Sequence, residues 1–171
     1  LGIVFNGCVY NFRDLRTQLR ALGYRFFSDG DTEVILKAYA AWGERCVERF
    51  HGMFAFALWD SARKCLFLAR DRLGIKPLYT FIDRDGLVFA SDSRAFLSIA
   101  RFPRKIDGSA FASFATHLAV SGDRAIFEGV RKVEPGTMVI IENGHATTRR
   151  YWSPPDPEPD RELSEENAVG R

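Results

Sequence analysis

Apolar positions in the first fifty residues recur with a helical period, and beyond them they merge into unbroken runs. Leu15, Leu19 and Leu22 fall at i, i+4 and i+7 behind Asn11, with Asp14 in the first turn and Gly23 as a stop. That spacing predicts a helix from Phe12 to Leu22 with Asn11 as N-cap, the three leucines inward, and Arg13, Arg16 and Arg20 on solvated faces. Tyr24 to Phe27 reads as a short strand. Ser28-Asp29-Gly30-Asp31 then makes a loop and opens a second helix with Asp31 as N-cap. Val34, Ile35, Ala38, Tyr39 and Trp42 are its buried stripe, Gly43 ends it, and Glu44 to Phe50 reads as one more short helix.

From Gly52 the period changes. Met53 to Trp59 and Cys65 to Ala69 are continuous apolar runs joined by a short polar turn, which predicts an antiparallel hairpin buried on both faces. Leu78 to Ile82 and Leu87 to Ala90, joined through Asp83-Arg84-Asp85-Gly86, predict a second hairpin. Helical signals return at Ser91 to Ile99, with Phe96 and Leu97 inward, and behind the cap Asp107, with Phe111, Phe114 and Leu118 as the stripe. Ile126 to Pro135 reads as irregular, and Thr137 to Trp152 as a closing hairpin around Asn143-Gly144. Helices segregated from antiparallel strands make the expected class α+β, with helices covering sheet faces.

Composition narrows the function classes. A chain of 171 residues, 46% hydrophobic and 27% charged, can build a core without staples. Its net charge of +2 is spread along the chain, which argues against a nucleic-acid surface. No apolar run is long enough to span a membrane. Three Cys without a C-x-x-C pair and three scattered His leave neither a disulfide framework nor a metal site as the expectation, and a reducing cytoplasm as the compartment. There is no P-loop and no G-x-S-x-G elbow.

The candidate chemistry lies near the start. Ile3 to Phe5 is an apolar run ending in Asn6-Gly7, which is first of all turn chemistry. The sharper reading is that an Asn amide and a Gly backbone N–H, side by side, hold a developing oxyanion in acyl transfer. Asp31 has a second reading as well, as a carboxylate placed to receive an ammonium group. For Arg70-Asp71-Arg72 the expected role is an ion pair fixing a loop between strands.

A series of elements then carries a resemblance. Asn6-Gly7-x-x-Tyr10-Asn11 with Leu15-Arg16 resembles the N-G-E-I-Y-N…L-R element of asparagine synthetase glutaminase domains, and Asp31-Thr32-Glu33-Val34 resembles their S-D-T-E-V. Gly52 to Asp60, Arg70 to Tyr79, Phe89-Ala90-Ser91 and Val133 to Gly136 are similar to further signatures of the same family, in the same order. The resemblance, to class II glutamine amidotransferases, implies an αββα four-layer sandwich of two antiparallel sheets of the N-terminal-nucleophile hydrolase type. It implies that Asn6 and the Gly7 N–H form an oxyanion hole and that Asp31 binds the α-amino group of glutamine. It further implies hydrolysis of glutamine through a thioester, the ammonia passing to a C-terminal synthetase domain that amidates aspartate or a related acid. No cofactor is expected within this domain; ATP and Mg belong to the synthetase domain.

On that reading residues 1–152 are the amidotransferase domain, truncated at its N-terminus, 153–162 a Pro- and acid-rich linker, and 163–171 the start of the synthetase domain. The family's nucleophile is an N-terminal Cys, and an Arg before the opening strand grips the substrate carboxylate; a chain starting at Leu1-Gly2 has neither, so it is expected to be inactive. Cys8 stands where the family usually has a Glu of the amino-group site. It reads as a passive thiol or, less simply, as a substitute nucleophile. A degenerate glutaminase-like scaffold is the alternative function. The missing strand should also leave a sheet edge open, so a homodimer or aggregation at that edge is expected.

Overall fold

The computed structural model describes residues 1–155. Eight strands and three α-helices follow the chain as β1 (Gly2–Val9), α1 (Phe12–Ala21), α2 (Asp31–Trp42), β2 (Gly52–Asp60), β3 (Cys65–Arg70), β4 (Tyr79–Asp83), β5 (Gly86–Ala90), α3 (Gly108–His117), β6 (Val130–Lys132), β7 (Thr137–Glu142) and β8 (His145–Arg150). Two 3₁₀ helices, Gly43–Arg49 and Ser93–Ser98, link them. The strands form two antiparallel sheets, one ordered β1-β2-β3-β7-β8 and the other β5-β4-β6. The α+β expectation and all three hairpins hold.

Three apolar clusters tie the layers together. Leu15, Leu19, Val34, Ile35 and Ala38 of α1 and α2 pack on Phe54, Phe56, Leu58 and Phe67 of the larger sheet. That sheet's other face supplies Ala55, Ala57 and Leu68 to a cluster with Leu78, Phe89 and Val133 of the second sheet region. On the far side, Phe81 and Val130 meet Phe96 and Phe102. Strands β2 and β3 are buried on both faces because they are central to the larger sheet and covered on either side. Strands β1 and β8 are the edges of that sheet.

Several sequence expectations are corrected. Leu22 is exposed, because α1 ends in a Schellman motif in which Tyr24 N–H reaches the Leu19 carbonyl and Gly23 N–H the Arg20 carbonyl. Asn11 does not cap α1; its amide donates to the Arg49 carbonyl and its oxygen accepts the His51 N–H, pinning the approach to β2. Tyr24 to Phe27 is not a strand, for no neighbour pairs with it. The segment from Ser91 to Ile99 contains only a short 3₁₀ helix that buries Phe96 and leaves Leu97 at the surface. Asp107 does cap α3, accepting from Ser109 and Ala110 N–H, but the buried residue is Ala110, and Phe111, Phe114 and Leu118 face outward. The stretch from Ile126 to Pro135 carries β6, which completes the second sheet. Residues 156–162 of the expected 153–162 linker, and the interrupted helix expected in 163–171, lie outside the described residues.

Candidate functional site

Asn6-Gly7 is not a turn. Strand β1 runs through it to Val9, with Asn6 opposite Ala55 and Gly7 opposite Phe54. Gly7 adopts φ +143°, and a Cβ there would stand 2.1 Å from the Met53 carbonyl oxygen, so no other residue fits.

The ladder fixes where the Gly7 amide points. Phe54 spends its N–H on the Asp71 carboxylate and its carbonyl on the Asp71 N–H, so its polar groups face away from β1. At the other end Tyr10 N–H donates to the His51 carbonyl, which makes Tyr10–His51 a hydrogen-bonded pair. Pairs alternate along an antiparallel ladder, so Val9–Gly52 and Gly7–Phe54 are both non-hydrogen-bonded, and the N–H groups of Gly7 and Val9 point to the open edge. The Val9 N–H is met there by the Asp31 carboxylate at 2.9 Å.

Asp31 is thereby brought to the strand that carries Asn6 and Gly7. It is the first residue of α2 and not its N-cap; Gly30 occupies the cap without a side-chain bond, and the carboxylate reaches across to β1. Two residues hold the preceding loop. Arg16, expected on a solvated face, is buried, donating to the Ser28 and Gly30 carbonyls at 2.8 and 3.0 Å and lying over the Phe26 ring. Glu33 accepts the Phe27 and Ser28 N–H groups and the Ser28 hydroxyl. Partial burial works against its charge, but those hydrogen bonds win and hold its pKa below the ordinary glutamate range.

Asn6 and Val4 lie on the face of β1 that looks toward the second sheet. They line a cavity of about 220 Å³ with Ala55, Leu78, Phe89 and Ser91. Cys8 is opposite Met53 at the end of this row, half-buried and one residue from the Val9 amide that Asp31 engages. Asn6, Gly7, Cys8 and Asp31 are therefore gathered along one strand edge. Sequence reasoning missed the holding residues, because an arginine in a run of arginines gives no sign of being the buried one.

It also misread Arg70-Asp71-Arg72. Asp71 is 1% exposed, and its carboxylate accepts the N–H groups of Phe54, Leu73, Ile75 and Lys76, while Arg70 donates to the Lys76, Val133 and Gly74 carbonyls. The loop is fixed by side chains bonding to backbone, not by an ion pair between the two. The repeated donors after Asp71, in a segment with little regular pairing, were the available signal.

Comparison with known proteins places the chain in a family. Residues 1–152 match the model of the family described as "Glutamine amidotransferase domain". The chain belongs to that family. It is 36% identical over 152 residues to asparagine synthetase [glutamine-hydrolyzing] 3 of Bacillus subtilis, covering 88% of this chain and 25% of that protein. It is 40% identical over 143 residues to a putative asparagine synthetase [glutamine-hydrolyzing] of Mycobacterium tuberculosis, covering 81% and 22%. The chain thus spans about a quarter of the length of these relatives. A solved glutamine phosphoribosylpyrophosphate amidotransferase from B. subtilis superposes with a TM-score of 0.59 at 22% identity, over 88% of this chain and 29% of that one, which shows a shared fold.

Within this amidotransferase domain the thiols differ sharply. Cys46 and Cys65 are buried on the helix side of the larger sheet, and burial pushes both thiols upward in pKa, which leaves them inert. Cys8 alone lies at the gathered edge. Among the described residues no helix is long and apolar enough to cross a membrane, and no group of three His, Cys, Asp or Glu converges as a metal site.

Proposed function

We propose that this amidotransferase domain hydrolyses glutamine within an asparagine synthetase-like enzyme, the ammonia serving ATP-dependent amidation of aspartate or a related acid by a synthetase domain. The observation that carries the reading is the shared edge of β1: the Asp31 carboxylate stands at Val9, and the Gly7 N–H faces the same way two residues earlier. An ammonium group at Asp31 then leaves the far end of a ligand beside the Gly7 N–H and the Asn6 amide. A tetrahedral oxyanion forming there would accept from both donors, and losing one such donor typically slows acyl transfer about 10²–10³-fold. Asp31 would hold the amino group, with Cys8 beside it where the family usually has a Glu, and Arg16 and Glu33 act on it by holding the Asp31 loop. The two sheets with their helical coverings support the αββα arrangement of the N-terminal-nucleophile hydrolases.

The attacking thiol is not among the residues gathered at this edge, unless Cys8 takes the role. The Cys8 side chain lies on the strand beside the donors and carries no α-amine to act as base. The 171-residue chain is therefore expected to release no ammonia from glutamine yet to bind it weakly. Binding is followed by amide shifts of Gly7 and Val9, and Asp31→Asn should weaken it about ten- to a hundredfold, the effect of removing one charge-assisted hydrogen bond. Glutamine that leaves these amides unmoved would defeat the proposal, and ammonia release abolished by Cys8→Ser would transfer the nucleophile's role to Cys8. A scaffold without glutaminase activity is favoured by one observation, a thiol at position 8 that cannot share an ammonium charge. Cys8→Glu separates the two readings: restored affinity marks a glutamine site, and none marks a scaffold.

A further inference from the structure

At the end of β3 a second cavity, of about 550 Å³, opens between the Arg70–Gly74 loop and the chain leaving β8. It shares no lining residue with the cavity that Asn6 lines. Four cationic side chains, Arg70, Arg72, Lys132 and Arg150, line it against a single carboxylate, Glu134.

Three of these four cations are held by groups that do not neutralise them. All three Arg70 nitrogens donate to backbone carbonyls, Arg72 donates to the Glu48 carbonyl, and the Lys132 ammonium donates to the Val120 carbonyl. The Asp71 carboxylate under Arg70 is occupied by four backbone N–H groups. Only Arg150 has an acidic partner, Glu134 at 2.5 Å, among the described residues. The Arg72 Nε is buried with no hydrogen-bond partner. Burial first and the neighbouring Arg70 second lower the Lys132 pKa, and the Asp123 charge opposes them only in part. Protein cavities do not ordinarily gather cations whose partners are carbonyls alone.

We propose that this cavity is an oxyanion-binding site, taking a carboxylate or phosphate group between Arg72 and Lys132. Oxyanions bind best to preorganised N–H donors, and here backbone carbonyls fix the cations before the ligand arrives. Two sources offer that chemistry. One is a free anion. The other is the chain's own acidic stretch, Asp156, Glu158 and Asp160, which starts two residues after Pro154. Pro154 and Trp152 themselves line the cavity, and Trp152 and Tyr151 are tied to the Gly136 carbonyl, so the described chain ends at the cavity only two residues before Asp156 in sequence.

The test titrates inorganic phosphate at constant ionic strength into the 171-residue chain and into its D156N/E158Q/D160N variant, reading the amide shifts of Gly74 and Lys132. Tighter phosphate binding by the neutralised chain, about fivefold or more, assigns the site to the chain's own carboxylates; equal binding assigns it to a free anion. In the neutralised chain Lys132→Gln and Arg72→Gln should each weaken phosphate about tenfold, while Glu134→Gln, which frees Arg150, should tighten it. Should Arg72→Gln disturb the fold, Lys132→Gln at the cavity wall decides alone. Gly74 and Lys132 amides that ignore phosphate in both chains, or binding that Lys132→Gln leaves unchanged, overturn the site.

Discussion

The two helical coverings of this domain are built on different terms. On one side α1 and α2 bury Leu15, Leu19, Val34 and Ile35 against Phe50 and a sheet face of stacked and edge-on phenylalanines, Phe54, Phe56 and Phe67. On the other, α3 contributes little more than Ala110, and the contacts with the second sheet come from Phe96 in the short 3₁₀ helix before it and Phe102 in the chain that follows that helix. The larger sheet needs its helices because β2 and β3 are apolar on both faces. The smaller sheet is closed by a phenylalanine cluster and leaves α3 as a surface element. The site follows the first pattern: Asp31 rides on a firmly packed helix and reaches an equally constrained strand.

Four substitutions sharpen or break that contrast. The largest effect belongs to Asp71, which joins the sheets through the loop after β3. Asp71→Ala strands four backbone donors and should destabilise by about 4 kcal/mol in urea unfolding; a loss below about 1 kcal/mol would mean that the loop is held otherwise. Next is Leu19→Ala, expected to cost about 3 kcal/mol through transfer and cavity terms. Gly7→Ala should cost about 2–4 kcal/mol, since the new Cβ meets the Met53 carbonyl in a backbone conformation that L-residues rarely adopt. Least is Phe114→Ala on α3, within about 0.5 kcal/mol by the same measurement. A large value there would show that α3 is a packed layer after all.

Acid should act mainly through the capped and paired carboxylates. The Ala110 N–H, and after it the Arg124 charge and the Ser109 N–H, hold Asp107 below the ordinary aspartate range against the opposing effect of burial. A depressed folded pKa contributes stability above the unfolded value, and that contribution is lost as pH falls through the folded one. Thermal unfolding of the unaltered chain should therefore shift downward more than that of Asp107→Asn as pH drops below about 4; parallel shifts would exclude Asp107 as a source.

How far the molecule is legible in its sequence tracks the same contrast. The stripes of α1 and α2 and the runs of β2 and β3 were readable because a buried face imposes a period, and burial there is nearly complete. Phe111, Phe114 and Leu118 have an equally good period, yet Leu118 is 81% exposed, because periodicity reports a helix and not whether anything covers it. Arg16 and Leu22 exchanged their expected places for a related reason: two carbonyls, the Asp29 carboxylate and an aromatic ring hold a buried guanidinium, and a Schellman turn lifts a leucine out. For the proposed site, resemblance alone pointed to Asn6, Gly7 and Asp31, and the strand running through Asn6-Gly7, the direction of Asp31 and the open edge had no sign in the sequence. They depend on register, which rests on long-range pairing between β1 and β2 and has no local signature.

The alternation along β1 makes that strand a measuring stick with one graduation. Outward amides recur only every second residue, about 6.6–6.8 Å apart, and the amide between them points into the sheet. On the proposed reading a ligand anchored at Asp31 presents its carbonyl at the level of Gly7 and Asn6, because no outward backbone amide lies between Val9 and Gly7. On the proposed reading, asparagine, one methylene shorter than glutamine, would be refused by spacing alone, with no side chain needed to exclude it.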